Sequence, residues 1–559
     1  MEGVKAPLVS EQLREFPWAQ LGVISLVRLS EPVAFMSLFP YMYFMVRDFD
    51  VSGNESQIAT YSGWLGSAFA LCQVVSSMNW GHFAEKYGRK WALILGQLGT
   101  CCSLLILGFA QNYYQALIAR SLMGLLNGNA GVVRTVIGEL ATEDRHQAVA
   151  FSSMQLLWQF GSVLGPMLGG YLAFPEGQRE IPKWFPSWLS RMVSKFPYSL
   201  PNLVIAVLLL TSVLATALFL QETHPHLKHS RDRGLEVGSW LATRVWPGTA
   251  DKGSNAERVV LTDEEFQSDA EERTHLLHNG YRVAGKDYAY SQVTGKNCIP
   301  SGEVQTHANA TSDAVCPVAE FAAEGFVPPQ EETAVQHMLY ADVFYPIVSN
   351  FFLELHLTSF VEFLPVFLSA ALVTEERPDG TVALASRFPW KIVGGIGMTS
   401  DTAGNLLSTT GIVGCLVMFF LFPFITQRYD AVSIYRGGLL MFPAIYIIVP
   451  YIVFMQQDSI PKWWTYVYLY FLTSARTTIC CLTMPQMLLI IHRTCHPSFR
   501  GVINSASISI GAAARFIGPL LCGYVMSWSQ AHSVAWLMWW LLATISLIAG
   551  YQAYKIRAV

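Results

Sequence analysis

Gly161-Ser-Val-Leu-Gly165-Pro166-Met-Leu-Gly169-Gly170 lies inside a long apolar stretch, and a shortened copy, Gly518-Pro519-Leu-Leu-Cys522-Gly523, recurs in the second half of the chain. Glycines four apart share one helical face and let a neighbouring backbone come close, and a proline between them frees a carbonyl that only a packed or water-lined helix tolerates within lipid. The flanks match as well: Gly169-Gly170-Tyr171-Leu172 stands against Cys522-Gly523-Tyr524-Val525. Two related halves packed through glycine-rich helices are the sequence trace of a secondary carrier.

Composition agrees. Of 559 residues, 52% are apolar and only 14% charged, and the mean hydropathy is +0.34. That is too few charges to clothe a soluble surface, and the chain is read as an all-α polytopic membrane protein. The net charge of −4 comes with no dense basic patch, which removes nucleic acid as a partner. Several of the ten cysteines, Cys72, Cys101, Cys102, Cys415, Cys480, Cys481 and Cys522 among them, lie in apolar runs, and no C-x-x-C pair occurs. They are expected to be packing residues. His224-Pro-His226-Leu-Lys-His229 is read as solvated linker, so neither a metal nor a cofactor is expected.

Apolar runs fall near 17–46, 58–80, 91–111, 113–138, 149–174 and 199–220, then 341–370, 403–427, 432–456, 463–491, 501–528 and 532–554. Each is close to the ~20 residues a span requires. The expected organisation is an N-terminal segment 1–16, a six-helix bundle 17–221, a polar and unstructured linker 222–340, and a second six-helix bundle 341–559. Lys86, Arg89, Lys90, Arg145, Arg428, Arg493, Arg500, Lys555 and Arg557 all fall on one side, taken as cytosolic by the positive-inside rule. Arg179, Lys183, Arg191 and Lys195 are the exception, in a loop whose Trp184-Phe-Pro-Ser-Trp188 reads as an interfacial piece. On this topology Asn54-Glu-Ser56 is a usable glycosylation sequon, whereas Asn309-Ala-Thr311 is cytosolic and is not.

Just after the second run stands Gly81-His-Phe-Ala-Glu85-Lys86-Tyr-Gly88-Arg89-Lys90, which resembles the loop signature of the major facilitator superfamily, with Glu85 and Lys86 in place of the usual Asp and Arg. Arg120-Ser-Leu-Met-Gly124 is similar to the fourth-span motif of proton-coupled members, and Gly161 to Gly170 to the motif of its drug–proton antiporters. Ser37 to Phe49, Gly124-Leu-Leu-Asn-Gly128 and Gly161 to Leu172 look like the plant zinc-induced-facilitator-like transporters and their fungal relatives. The second half is less distinctive, keeping little beyond Arg428 of the counterpart loop. The resemblance implies twelve transmembrane helices in two pseudo-symmetric bundles. It also implies export or compartmentalisation of a small organic metabolite or xenobiotic against protons, and it does not name zinc as the cargo.

A charge at mid-bilayer costs about 2.5–3.5 kcal/mol on insertion scales, so ionisable residues deep in the spans need a reason. Arg28 and Glu31 lie three apart on one face of the first span and read either as a tuned proton site or as a fixed ion pair. Glu354 and Glu362 on the seventh span, eight apart, are read as a relay along one face, and His356 as a packing histidine. Arg120 completes the proton-coupling set, since the resemblance implies that the motif arginine modulates the proton site. Arg476 and Arg515 are candidates for an anionic substrate group or for pairing with Glu354 or Glu362, and Trp158 for stacking on substrate. Glu85, Arg89, Arg134 and Glu139 are expected to form one cytosolic charge network.

No nucleophile–base pair or metal constellation stands out, which argues against an enzyme. The expected protein is a proton-exchanging carrier that acts as a monomer in a plasma or vacuolar membrane, with lipid, protons and a small solute as its partners. A proton-coupled nutrient importer and a transporter-like nutrient sensor remain the alternatives.

Overall fold

The computed structural model describes residues 17–140, 144–178, 180–224, 227–228, 231–245, 340–376, 382–457, 459–494 and 500–556. Residues 1–16, His226, His229 and Asn309, which figure in the expectations above, lie outside them. The first half runs α1 (Trp18–Met36), α2 (Phe39–Asp48), α3 (Ile58–Tyr87), α4 (Arg89–Gly108), α5 (Tyr113–Leu126), α6 (Asn129–Leu140), α7 (Asp144–Leu172), α8 (Ser187–Lys195), α9 (Ser199–Phe219) and α10 (Arg233–Val245). The second half has α11 (Ala341–Ser369), a hairpin of β1 (Thr374–Glu376) and β2 (Val382–Leu384), then α12 (Ser400–Leu416) and α13 (Phe422–Thr426). It continues with α14 (Ala431–Ile448), α15 (Trp463–Thr494), α16 (Arg500–Ala531) and α17 (Trp536–Tyr554). Both bundles belong to one compact unit.

Eleven segments among the described residues are long and apolar enough to cross a bilayer. The twelfth crossing is α7, the helix of the glycine motif. Its glycines, glutamines and proline lower its hydropathy, but at 29 residues it has ample length, and it packs against α1 and α12. Membership of the bundle is set here by close packing, not by apolarity.

Two spans expected to be continuous are broken. The first splits between α1 and α2 at Ser37 and Leu38, with Pro40 in the opening turn of α2, where its missing N–H costs nothing. The fourth splits between α5 and α6 around Asn127 and Gly128, where Gly128 presses on the Trp80 ring and Trp80 Nε1 donates to Leu125 O at 2.9 Å. Restarting the helix resets the phase of everything beyond it, Arg134 included. Between α12 and α13 the eighth span passes through a π-helical stretch, Val417–Leu421.

The halves meet mainly where α3 packs on α16 and α7 on α12, with α2 and α3 also against α11. These contacts concentrate towards the face opposite the Arg89–Lys90 loop, called the outer face below. Thr60 Oγ1 donates to Ser527 Oγ at 2.7 Å and Trp64 Nε1 to Tyr524 OH at 3.1 Å. A Cβ on Gly523 would come within 2.9 Å of Ala59 O, and one on Gly170 within 2.9 Å of the Gly404 Cα. The seam runs inward along α7 and α12 to Ser408, which donates to Val163 O at 2.9 Å, and to Gln159 beside Gly414. Towards the Arg89–Lys90 face the described helices α6 and α16 share no comparable packing, which leaves a cleft between the bundles.

The stretch after α9 departs from the expectation of an unstructured linker, because the described residues between Glu222 and Ser239 are tied to the first bundle. Glu222 accepts from Arg89 N at 2.9 Å and Lys90 N at 3.1 Å, covering open donors at the start of α4. Asp232 binds Lys90 Nζ at 2.6 Å, and Gly234 and Gly238 let α10 lie on the last carbonyls of α9. Residues 246–339 lie outside the described set. Deleting 250–330, which spares this strap, is expected to leave transport within about twofold of wild type at equal surface abundance, because loop length carries little entropic cost. Flux normalised to surface protein checks it.

Candidate functional site

The motif helix α7 explains its own spacing. Gly161, Gly165 and Gly169 face α1: a Cβ at Gly161 would run into the Pro32 ring, one at Gly165 would sit 2.9 Å from Val33 O, and one at Gly169 would strike Ser37 O at the α1–α2 break. Pro166 and Gly170, about 100° round the helix, face α12. The second-half copy repeats the arrangement, with Gly518 against Leu355 and Ser359 on α11 and Gly523 against α3. Each motif therefore lies between a helix of its own bundle and a helix of the other.

The charged residues of both halves meet in the cleft. Arg28 Nη1 donates to Glu31 Oε2 at 2.6 Å, and its guanidinium lies 5.1 Å from the centre of the Trp158 ring. The face of Trp158 expected to stack on substrate is thus taken by Arg28 in this conformation. Across the cleft Arg515 Nη1 stands 3.5 Å from Glu354 Oε2, a looser pair. Arg134 on α6 is exposed, makes no ion pair among the described residues, and interacts electrostatically with Arg28, Glu31, Arg515 and Glu354. Its expected place in the cytosolic network is not where the structure puts it. An arginine inside an apolar run was visible in the sequence, but the helix break that aims it was not.

Glu354 and Glu362 do not act along one face. Eight residues are about 2.2 turns, which leaves roughly 80° between them, and they enter different surroundings. Glu362 is 2% exposed and reaches across the seam into the notch left by Gly66 on α3. Its Oε2 has no hydrogen-bond partner. The carboxylate that acts on Arg120 is Glu362, from the opposite bundle. Arg120 is 1% exposed, lies 5.7 and 5.0 Å from the Phe35 and Phe69 rings, and has Nε and Nη2 unpartnered. Removing two charges this far from water costs several kcal/mol each, and Arg120 Nη1 offsets little of it by donating to Met123 Sδ at 3.4 Å.

Arg476 faces neither acid. It is buried inside the second bundle, donates to Leu357 O at 2.9 Å and sits 4.8 Å from the Phe360 ring. Beside it, His356 Nδ1 pairs with Tyr446 OH at 2.8 Å. At the opposite membrane surface, Arg89 binds Glu139 at 3.2 Å, and Glu139 accepts from Thr223 at 2.5 Å. Glu85 stays exposed outside this network, while Lys86 lies over the Tyr87 ring. Gly81 is exposed with open space around it, whereas Gly88, at φ +101°, makes the left-handed turn that starts α4 against Glu222. Asn54 is exposed in the outer loop between α2 and α3. Among the described residues no group of His, Cys, Asp and Glu is arranged to hold a metal.

Residues 24–373 match the family model described as Major Facilitator Superfamily. The chain is 32% identical over 552 residues to the major facilitator superfamily multidrug transporter mfsB of Aspergillus fumigatus, covering 96% of this chain and 83% of that protein. It is 30% identical over 263 residues to Protein ZINC INDUCED FACILITATOR 1 of Arabidopsis thaliana, covering 46% of this chain and 52% of that protein. The fold resembles a partially occluded inward-open structure of the xylose transporter XylE from E. coli at a TM-score of 0.57 with 9% identity, covering 97% and 99% of the two chains. The chain is therefore a multi-pass membrane transporter belonging to the Major Facilitator Superfamily.

Proposed function

We propose that this transporter exports or compartmentalises a small organic molecule, a metabolite or xenobiotic, in exchange for protons by alternating access. The observation that carries the reading is Glu362: a carboxyl group buried in the seam between the bundles, interacting electrostatically with Arg120 of the opposite bundle, its Oε2 without a hydrogen-bond partner. A carboxyl group so placed couples its charge to the contact between the bundles. Its proton occupancy then biases which face of the carrier is closed. Glu31 with Arg28 and Glu354 with Arg515 line the cleft, where proton and solute meet, and Trp158 borders the space. The relationship to multidrug transporters supports export, as does the α7 motif, whose glycines sit on surfaces that must slide or part.

Exchange of one proton suffices energetically. A charge crossing 100 mV yields about 2.3 kcal/mol and each pH unit about 1.4 kcal/mol, together enough for a several-hundred-fold gradient of a neutral solute.

The test has two stages. Comparing metabolites and drug tolerance in cells with and without the protein identifies a transported solute. Reconstituted vesicles loaded with that solute are then expected to exchange it at least fivefold faster under an imposed pH gradient. Equal flux after the gradient is collapsed at matched membrane potential would exclude proton exchange, and solute accumulation alongside protons would establish the importer instead.

A further inference from the structure

Where α13 turns into α14, a groove of about 240 Å³ opens between α13, α14 and α15, lined by Ile425, Tyr429, Ser433, Gly437, Met441 and Ile479 among others. The groove exists because a side chain is missing. Ser433, Gly437 and Met441 recur every fourth residue along one exposed stripe of α14, and a Cβ at Gly437 would meet nothing within 4 Å. From Ser433 to Met441 the stripe rises about 12 Å, close to the roughly 15 Å of hydrocarbon in one leaflet. It lies within a membrane-crossing segment, Ala431–Gln456, so its occupant comes from the bilayer.

One charge of each sign flanks the lining residue Tyr429 in sequence. Arg428 is exposed, stacks 4.0 Å from the Phe424 ring and has no ion pair among the described residues. Asp430, two residues on, is also exposed and caps α14 by accepting from Ser433 N at 3.0 Å. Hydrogen bonds from Ser433 hold its carboxyl below the usual carboxylate range, so it is ionised at neutral pH. The Tyr429 side chain, 62% exposed, stands between them in sequence. An anionic head group would gain Arg428 but meet Asp430. A head group with a phosphate and an ammonium satisfies both.

We infer that this groove binds a single zwitterionic glycerophospholipid, with an acyl chain along Ser433, Gly437 and Met441, its phosphate on Arg428 and its ammonium on Asp430. The leaflet is the one on the Arg89–Lys90 side, and the site is separate from the transport cleft. Gly437 is the residue that makes room, and Arg428 the one that holds the phosphate.

Purified full-length protein, washed in detergent and supplied with phosphatidylethanolamine, phosphatidylcholine or phosphatidylglycerol, tests this by native mass spectrometry and by the shift in melting temperature. Wild type is expected to retain one zwitterionic phospholipid per chain under washing that strips the rest, and to melt higher with it. Gly437→Leu should weaken retention at least tenfold, since the leucine fills the groove without a clash. Arg428→Gln should weaken it several-fold. Gly22→Leu, at another position where a Cβ meets nothing within 4 Å, should retain lipid as wild type does. Equal retention by wild type and Gly437→Leu would overturn the proposal, as would preference for phosphatidylglycerol. So would a concentration-dependent dimer, free of lipid, that Gly437→Leu abolishes.

Discussion

Gly165→Leu is expected to lower transport at least tenfold while the protein still inserts and reaches its membrane. The contacts at this position are backbone as well as side chain: a Cβ would already lie 2.9 Å from Val33 O, 3.0 Å from Met36 Cβ and 3.3 Å from Pro32 O. The rest of a leucine must therefore push α1 away from α7. Overpacking of this kind costs typically 1–3 kcal/mol, and here it falls on a helix that also forms the seam with α12 through Pro166 and Gly170. Displacing α7 disturbs both surfaces at once. Insertion should survive, since leucine favours the bilayer. Flux per surface molecule, with Gly22→Leu as the control for added apolar bulk, measures the effect. Turnover within twofold of wild type would show that the α1–α7 contact stays fixed through the cycle and has room that this conformation conceals.

The second large effect separates two acids that look alike in sequence. Glu362→Gln keeps the shape that fills the Gly66 notch but removes the titratable proton. Gradient-driven accumulation should fall at least tenfold, while counterflow at equal pH on both sides persists, because exchange without net coupling does not need the proton. Glu31→Gln is expected to act differently. Glu31 holds Arg28 at 2.6 Å, and the Arg28 Nε already lacks a partner. Removing the carboxylate leaves an arginine nearly enclosed and uncompensated, a penalty of about 3–5 kcal/mol. Lower abundance and melting temperature should therefore accompany any loss of flux. Abundance, melting temperature, counterflow and gradient-driven flux on the same preparations distinguish the two. Undiminished pH-driven accumulation by a stable Glu362→Gln protein would remove Glu362 from the coupling role.

The legible part of the sequence was the part governed by local rules. Apolar length placed the spans to within a few residues, and the spacing of Gly161, Gly165 and Gly169 announced a close-packed face. α7 falls below the apolarity of the other crossings, yet it still read as an apolar run, and its glycines marked the face that packs. The three-residue spacing of Arg28 and Glu31 placed them as neighbours, because i and i+3 meet on any helix, without choosing between a proton site and a fixed ion pair.

Contacts between distant segments were not legible in the same way. Glu354 and Glu362 share a helix, yet one meets Arg515 and the other enters a notch on α3 next to Arg120. The choice depends on the angle left over after 2.2 turns and on what each bundle presents there. Arg134 belongs to the cleft because the fourth span breaks at Gly128 against Trp80, and a break changes the phase of every later side chain. Arg476 is buried among Leu357 and Phe360, since α15 turns it towards its own bundle. Helix formation and membrane crossing are decided within some twenty residues of chain, so the sequence by itself determined them. Which charges face one another is decided by how two rigid bundles dock along backbone contacts made at glycine, and only the tertiary structure supplied that.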